Sequence, residues 1–165
     1  MKKLLLSFLI LFSLQLTTLK AQWVTIPDTN FVNKLTQLFP SCMSGNQMNT
    51  ACSQIVNCTS LYLSSSYITD LTGVEYFVNL TTLDCHYNQL TSLPLLPVTL
   101  EDLDCGGNDI VSIAQLPNNL KNFDCNNNHL INLPTLPDSL HYLYCNQNEI
   151  SYLPNLPDSL INLTC

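Results

Sequence analysis

The chain has 165 residues, the length of one domain. Of its five Lys, three (Lys2, Lys3, Lys20) fall before Gln22; it has no Arg and twelve Asp plus Glu. The remaining two Lys against twelve carboxylates cannot neutralise a run of phosphates or settle on an anionic membrane, which excludes nucleic acid and acidic lipid surfaces as partners. With 46% hydrophobic residues, and Leu (32) and Asn (19) the commonest types, the composition fits a packed core rather than disorder.

The chain opens on Met1-Lys2-Lys3, a basic start, followed by a mostly apolar run from Leu4 to Leu19. That run is short for a membrane span, and Lys20-Ala21-Gln22 follows it, so residues 1–21 read as an export signal cleaved after Ala21. A secreted or cell-surface protein with no membrane insertion after cleavage is expected. Residues 22–58 read as an N-terminal cap. Within it, Asp28 to Leu38 predicts a short helix with apolar Phe31, Leu35 and Leu38, capped by Asp28 or Thr29 and ended by Pro40. Cys42 and Cys52 flank a polar loop, and a disulfide between them suits an exported cap, although spacing alone does not fix connectivity. The loop from Ser44 to Thr50 has no carboxylate and is not an EF-hand. Cys58 precedes Leu80 by the length of one divergent repeat and is expected at a core position of the array.

From residue 59 to 165 the chain repeats. Cys85, Cys105, Cys125, Cys145 and Cys165 recur at a constant spacing of twenty, and Asn88, Asn108, Asn128 and Asn148 follow the first four by three. Leu83, Leu103, Phe123, Leu143 and Leu163 sit two before each Cys, and Leu80, Leu100, Leu120, Leu140 and Leu160 five before. The unit is L-x-x-L-x-C-x-x-N-x-[LI]-x-x-L-P-x-L-P-x-x, with a divergent earlier copy through Leu61, Leu63, Ile68 and Leu71.

This unit resembles the leucine-rich repeat. The L-P-x-L-P form is similar to repeats of secreted effectors from enteric pathogens, and the segment from Ile68 to Gly73 resembles internalin-type repeats. The strand Cys, the export signal and the Ile26-to-Phe31 opening resemble surface or secreted repeat proteins of the Bacteroidetes. The resemblance implies a right-handed α/β-type solenoid with a concave parallel sheet. Such arrays need a covered end, so the chain is read either as truncated at Cys165 or as having its last rung covered by a partner.

Elementary geometry gives the same fold. Alternation within L-x-C places Leu and Cys on one side of a short strand and the residue between on the other. The Asn turns inward to bond backbone groups left open by the bend. So short a unit leaves no room for a helix on the return, and Pro94/Pro97, Pro134/Pro137 and Pro154/Pro157 favour an extended, polyproline-like convex side. Ile113-Ala114 replaces the first Leu-Pro of one repeat, a looser return. The Cys column is expected as buried free thiols: its spacing suits no metal, no C-x-x-C occurs, and parallel side-chain vectors disfavour disulfides.

Function is expected on the concave face. Directly before each Cys stand Asp84, Asp104, Asp124, Tyr144 and Thr164, and three before it Thr82, Asp102, Asn122, Tyr142 and Asn162. His86 and Tyr87 follow the first Cys of the array. Three stacked Asp plus Asp102 read as a solvated acidic stripe, a docking stripe for a cationic protein, or a weak calcium site. The candidate ligand-binding residues are Asp84, Asp102, Asp104, Asp124, Tyr142, Tyr144, His86 and Tyr87. No cofactor or dedicated metal site is expected. His86, His129 and His141 lie on different repeats without an exposed nucleophile beside them, so no enzyme activity is expected. The leading expectation is an exported protein-recognition module. A glycan-binding adhesin using the Tyr and Asn rows is the alternative, and a passive spacer the third.

Overall fold

The computed structural model describes residues 22–165; the expected export signal, residues 1–21, lies outside the described residues. The chain begins with a small antiparallel sheet of β1 (Trp23–Thr25), β2 (Met43–Ser44) and β3 (Gln47–Asn49), in the order β1-β3-β2. Between β1 and β2 lies helix α1 (Thr29–Leu38), which buries Phe31 and Leu35, one helical turn apart. Asp28 is its N-cap: one carboxylate oxygen accepts from the Phe31 N–H at 2.7 Å, and the other from the Thr69 N–H and hydroxyl at 2.8 and 2.7 Å. Burial works to raise the pKa of Asp28, but these hydrogen bonds outweigh it and hold the carboxyl below its usual value. One side chain therefore starts the helix and ties it to the first repeat.

Helix α1 ends at Leu38 with Phe39 as its C-cap, directly ahead of Pro40 as expected, and Pro40 opens a short 3-10 turn (Pro40–Cys42). Cys42 is buried and bonded to Cys52, with Cα atoms 5.6 Å apart. A single helical turn, α2 (Ser53–Val56), leads into the repeats.

Six three-residue strands follow: β4 (Ser60–Tyr62), β5 (Thr82–Asp84), β6 (Asp102–Asp104), β7 (Asn122–Asp124), β8 (Tyr142–Tyr144) and β9 (Asn162–Thr164). They form one parallel sheet in chain order, each strand paired in register with the next. The register aligns Leu61, Leu83, Leu103, Phe123, Leu143 and Leu163 in one column facing the core. The return segments carry neither helix nor strand from Leu93 to Pro97 and at the equivalent places of the later repeats. Each return closes with a turn in which the N–H of Leu100, Leu120, Leu140 or Leu160 reaches the carbonyl of Pro97, Pro117, Pro137 or Pro157. Ile113 stays buried where other repeats carry Leu. No helix among the described residues is long and apolar enough to cross a membrane.

Two polar columns join successive repeats. Asn108 donates from Nδ2 to the Cys105 carbonyl of its own repeat at 2.9 Å and to the Cys85 carbonyl of the preceding one at 3.1 Å, while its Oδ1 accepts the Leu90 N–H at 3.0 Å. Asn88, Asn128 and Asn148 repeat the pattern. The second column escapes the sequence motif: the hydroxyls of Thr99, Ser139 and Ser159 each donate at 2.7 Å to the carbonyl of Leu80, Leu120 or Leu140. Asn119 serves the same turn, donating to the Val98 carbonyl at 2.9 Å.

Cys85, Cys105, Cys125 and Cys145 are buried free thiols. The first three donate from Sγ to the carbonyls of Asp104, Asp124 and Tyr144 at 3.3 to 3.4 Å, the same carbonyls that accept the cysteines' own N–H groups. The thiol thus uses a second lone pair on an oxygen already in the sheet ladder. Burial pushes these thiols far above their ordinary pKa, and burial with the neighbouring Cys165 takes Cys145 up to about 12. Two cysteines depart from the expected burial. Cys165, on the last strand, is exposed, and Cys58 is only half-buried, its thiol turned to the Ser60 carbonyl at 3.3 Å.

Asn108→Ala is expected to cost about 2–4 kcal/mol in urea unfolding, because three buried backbone groups lose their partner at roughly 1–3 kcal/mol each, with partial recovery by relaxation. Alkylation of the folded protein should label Cys165 first and Cys58 more slowly. Cys85, Cys105, Cys125 and Cys145 should stay unmodified until denaturant is added, as read by peptide mass.

Candidate functional site

Each strand triplet points its middle residue inward and its two ends outward, so the register that aligns the core also aligns the outer columns. Asp84, Asp104 and Asp124 are direct partners on β5, β6 and β7. Adjacent parallel strands lie about 4.8 Å apart, and the three carboxylates repeat at that interval. Tyr144 on β8 continues the column at one end, and Tyr62 on β4 at the other. Tyr62, 60% exposed, was not among the residues expected from sequence, although the alignment of Leu61 with Leu83 sets it beside Asp84. Asp102 stands in the neighbouring column between Thr82 and Asn122, with Tyr142 beyond, and the Asn122 amide bonds its carboxylate.

The Asp column has an architectural role that the reading of a freely solvated stripe omitted. Oδ1 of Asp84, Asp104 and Asp124 accepts the N–H two residues ahead, at His86 (3.2 Å), Gly106 (3.0 Å) and Asn126 (2.9 Å). These bonds cap the strand's end as it bends. Where the column changes to Tyr144, the equivalent N–H of Asn146 goes to Oδ1 of Asn126 on the preceding repeat, at 2.6 Å. Burial raises the pKa of Asp124 and Asp104 adds to the rise, against the opposing hydrogen bond from the Asn126 N–H.

His86 stands at one end of this row. Its Nδ1 is 2.5 Å from Asp84 Oδ1 and 3.6 Å from Asp104 Oδ2, and its ring meets Tyr87 edge-on at 4.9 Å between centroids. Asp84, His86 and Asp104 bring three donor atoms within 4.8 Å of one another, the set among the described residues that could hold a metal ion. An imidazole with two carboxylates differs from the all-oxygen set that calcium takes. The other two imidazoles lie elsewhere, His129 between Asp109 (3.8 Å) and Glu149 (3.5 Å) at the exposed turns.

Two residues past Leu63, Cys85, Cys105, Cys125 and Cys145 the chain turns through a left-handed residue: Ser65 (φ 50°), Tyr87 (52°), Gly107 (64°), Asn127 (55°) and Gln147 (55°). Gly and Asn take this conformation readily, whereas a bulky side chain such as Tyr87 seldom does. The Tyr87 ring lies against Gly107, where an added Cβ would meet ring carbons at 2.4 and 2.7 Å. Two recesses flank the Asp row. One, about 210 Å³, is lined by Thr82, Asp84, Asp102, Asn122, Asp124 and Tyr144 among others. The second, about 360 Å³, lies over Gly106 and Gly107 with His86, Tyr87, Asp104, Asp124, Asn126 and Gln147 around it. Asp104 and Asp124 line both.

The raised pKa of Asp124 means that the folded state holds this proton more tightly than the unfolded chain, so ionisation costs stability once pH exceeds the folded pKa. Asp124→Asn keeps an oxygen for the Asn126 N–H and removes the charge. It should melt at or above wild type at pH 7, with the difference vanishing as pH falls through the folded pKa. Asp124→Ala should melt lower, the unpaired N–H costing about 0.5–1.5 kcal/mol.

No family model matches the chain, and no curated protein matches it in sequence. Among solved structures it is similar to a Shigella effector leucine-rich-repeat domain, at 33% identity and a TM-score of 0.67 over 82% of this chain and 56% of that one. It is also similar to the functional domain of InlJ from Listeria monocytogenes, which includes a cysteine ladder, at 30% identity and a TM-score of 0.71 over 90% of this chain and 34% of that one. The chain thus spans about half the length of the first and a third of the second. Stacked strands in unbroken register, inward Leu and Cys columns and this likeness to bacterial repeat domains make the chain a leucine-rich-repeat solenoid.

Proposed function

We propose that the chain is a non-enzymatic recognition module, with residues 22–58 as its cap and 59–165 as its repeats, that binds a protein through the open face of the parallel sheet. The observation that carries this reading is the row of Asp84, Asp104 and Asp124 on that face, bracketed by Tyr62 and Tyr144. Opposite charge on a partner would relieve the mutual repulsion of the row, and tyrosines add apolar area with a polar tip, the type enriched at interface hot spots. Asp102, Tyr142, His86 and Tyr87 extend the surface. The likeness to effector and InlJ repeat domains supports a protein-interaction role. Export rests on the sequence of residues 1–21, and the Cys42–Cys52 bond suits an oxidising compartment.

The glycan reading gains less support from the geometry. The Asn126 and Asn146 amides bond each other at 3.1 Å and the Asn122 amide is engaged by Asp102, which leaves fewer free groups for sugar hydroxyls.

Binding of a lysine-bearing extended peptide, read by fluorescence anisotropy across a salt series, tests the docking face. Affinity should fall as salt rises. Joint Asp84→Asn, Asp104→Asn and Asp124→Asn substitution should weaken binding at least ten-fold and flatten the salt dependence. A salt-independent affinity that instead disappears with Tyr142→Ala would point to the glycan-type surface.

A further inference from the structure

The columns that follow each core Cys place side chains outward on most repeats: His86 and Tyr87 on one, Asn126 and Asn127 two strands further on. Between them, Gly106 and Gly107 place none. The Tyr87 ring leans over Gly107, so the notch that remains lies over Gly106, between flanking strands about 9.6 Å apart by the usual strand spacing. Its floor is the Asp104–Asp124 pair. An added Cβ at Gly106 would lie 3.3 Å from the Oδ1 of both carboxylates, so the glycine is what leaves them open to the recess above. Each carboxylate spends Oδ1 on a backbone N–H; the second oxygen of Asp104 lies 3.6 Å from His86 Nδ1, beyond hydrogen-bond distance, and stays within reach of a ligand. The Tyr87 ring supplies the wall, resting against Gly107 and held edge-on by His86.

We propose that this notch is an arginine pocket: it takes the guanidinium of an arginine from an extended segment of a partner protein, with the Asp104 and Asp124 carboxylates as acceptors and the Tyr87 ring as stacking wall. The inference rests on the reading of the sheet face as a protein-docking surface and specifies its partner. Three properties of the recess select guanidinium over ammonium. Two neighbouring carboxylates suit a planar fork with donors on more than one edge, whereas an ammonium is a point charge. An aromatic wall suits a flat, weakly hydrated cation that stacks. A volume of about 360 Å³ admits a whole guanidinium with part of its stem. The described residues hold no arginine, Lys121 is paired with Glu101 at 2.8 Å, and neither it nor Lys34 lines the recess, so the cation is one that a partner supplies.

The test uses the full chain and two peptides, acetyl-Ser-Gly-Arg-Gly-Arg-Gly-Ser-amide and the same peptide with Lys for Arg, titrated by calorimetry with EDTA present to keep divalent ions from the Asp84–His86–Asp104 set. The arginine peptide should bind at least about five-fold more tightly, the range set by cation–π stacking. Tyr87→Asn deletes the ring while keeping a residue type that the equivalent left-handed position 127 already carries. It should abolish the arginine preference and leave lysine-peptide affinity within two-fold, while Tyr87→Phe should retain the preference; melting curves confirm that both variants fold. Equal affinity for the two peptides, or an arginine preference that survives Tyr87→Asn, overturns the pocket and leaves the docking face standing. Failure of both peptides to bind overturns the pocket and the docking reading together.

Discussion

The carboxamide of the repeat asparagine is the interaction on which the rest depends. When a strand of three residues ends and the chain bends away, backbone carbonyls and N–H groups are left inside a core that water does not reach, and each must find a partner. Asn108 answers on two levels at once, because its donors span the Cys carbonyls of two repeats and its acceptor takes an N–H from the preceding turn. A longer amide would overshoot and a carboxylate has no donors. Register between strands follows from this bond as much as from the ladder itself. The outer columns of Asp and Tyr are consequences of that register.

Much of this was legible in the sequence because it is periodic. The constant interval between cysteines fixed which residues face inward, and the Asn column could be assigned its role because a buried amide at a bend has little else to do. The helix up to Leu38 and a cap at Asp28 or Thr29 followed from local chemistry, and the structure selects Asp28. The cap's second task, holding the distant Thr69, did not, since nothing near Asp28 announces it. The outer face was harder for a related reason. The bonds from the Asp column to the N–H two residues on are local, yet an Asp row on a sheet reads equally well as surface charge until the bend is seen. Tyr62 could be placed by aligning Leu61 with Leu83, but it lies outside the regular period that picked out the other members of its column. The packing of Tyr87 on Gly107 depends on what the neighbouring repeat lacks, and a motif does not record missing side chains.

The eight cysteines divide by environment rather than by spacing. Cys42 and Cys52 are joined in the cap, where two chain segments meet without a repeating ladder to hold them. In the repeats the thiol serves as a small core group with one weak donor, aimed at a carbonyl that the sheet already uses. Burial keeps those sulfurs protonated, and protonated thiols are poor nucleophiles for disulfide exchange. The buried thiols from Cys85 to Cys145 are therefore withheld from exchange, while the exposed Cys165 and the half-buried Cys58 are not.

Both polar columns, the asparagines and the turn hydroxyls, reach back to the repeat before and no further. Each repeat is thus a self-contained instruction that reads only its predecessor. Duplicating the stretch from Cys105 to Asp124 in frame would insert a strand without disturbing any bond on either side of it. The acidic row would lengthen by one carboxylate, one strand spacing further along the face. In a solenoid of this construction, the reach of the charged surface is a matter of counting repeats, and it can grow or shrink without redesign of the core.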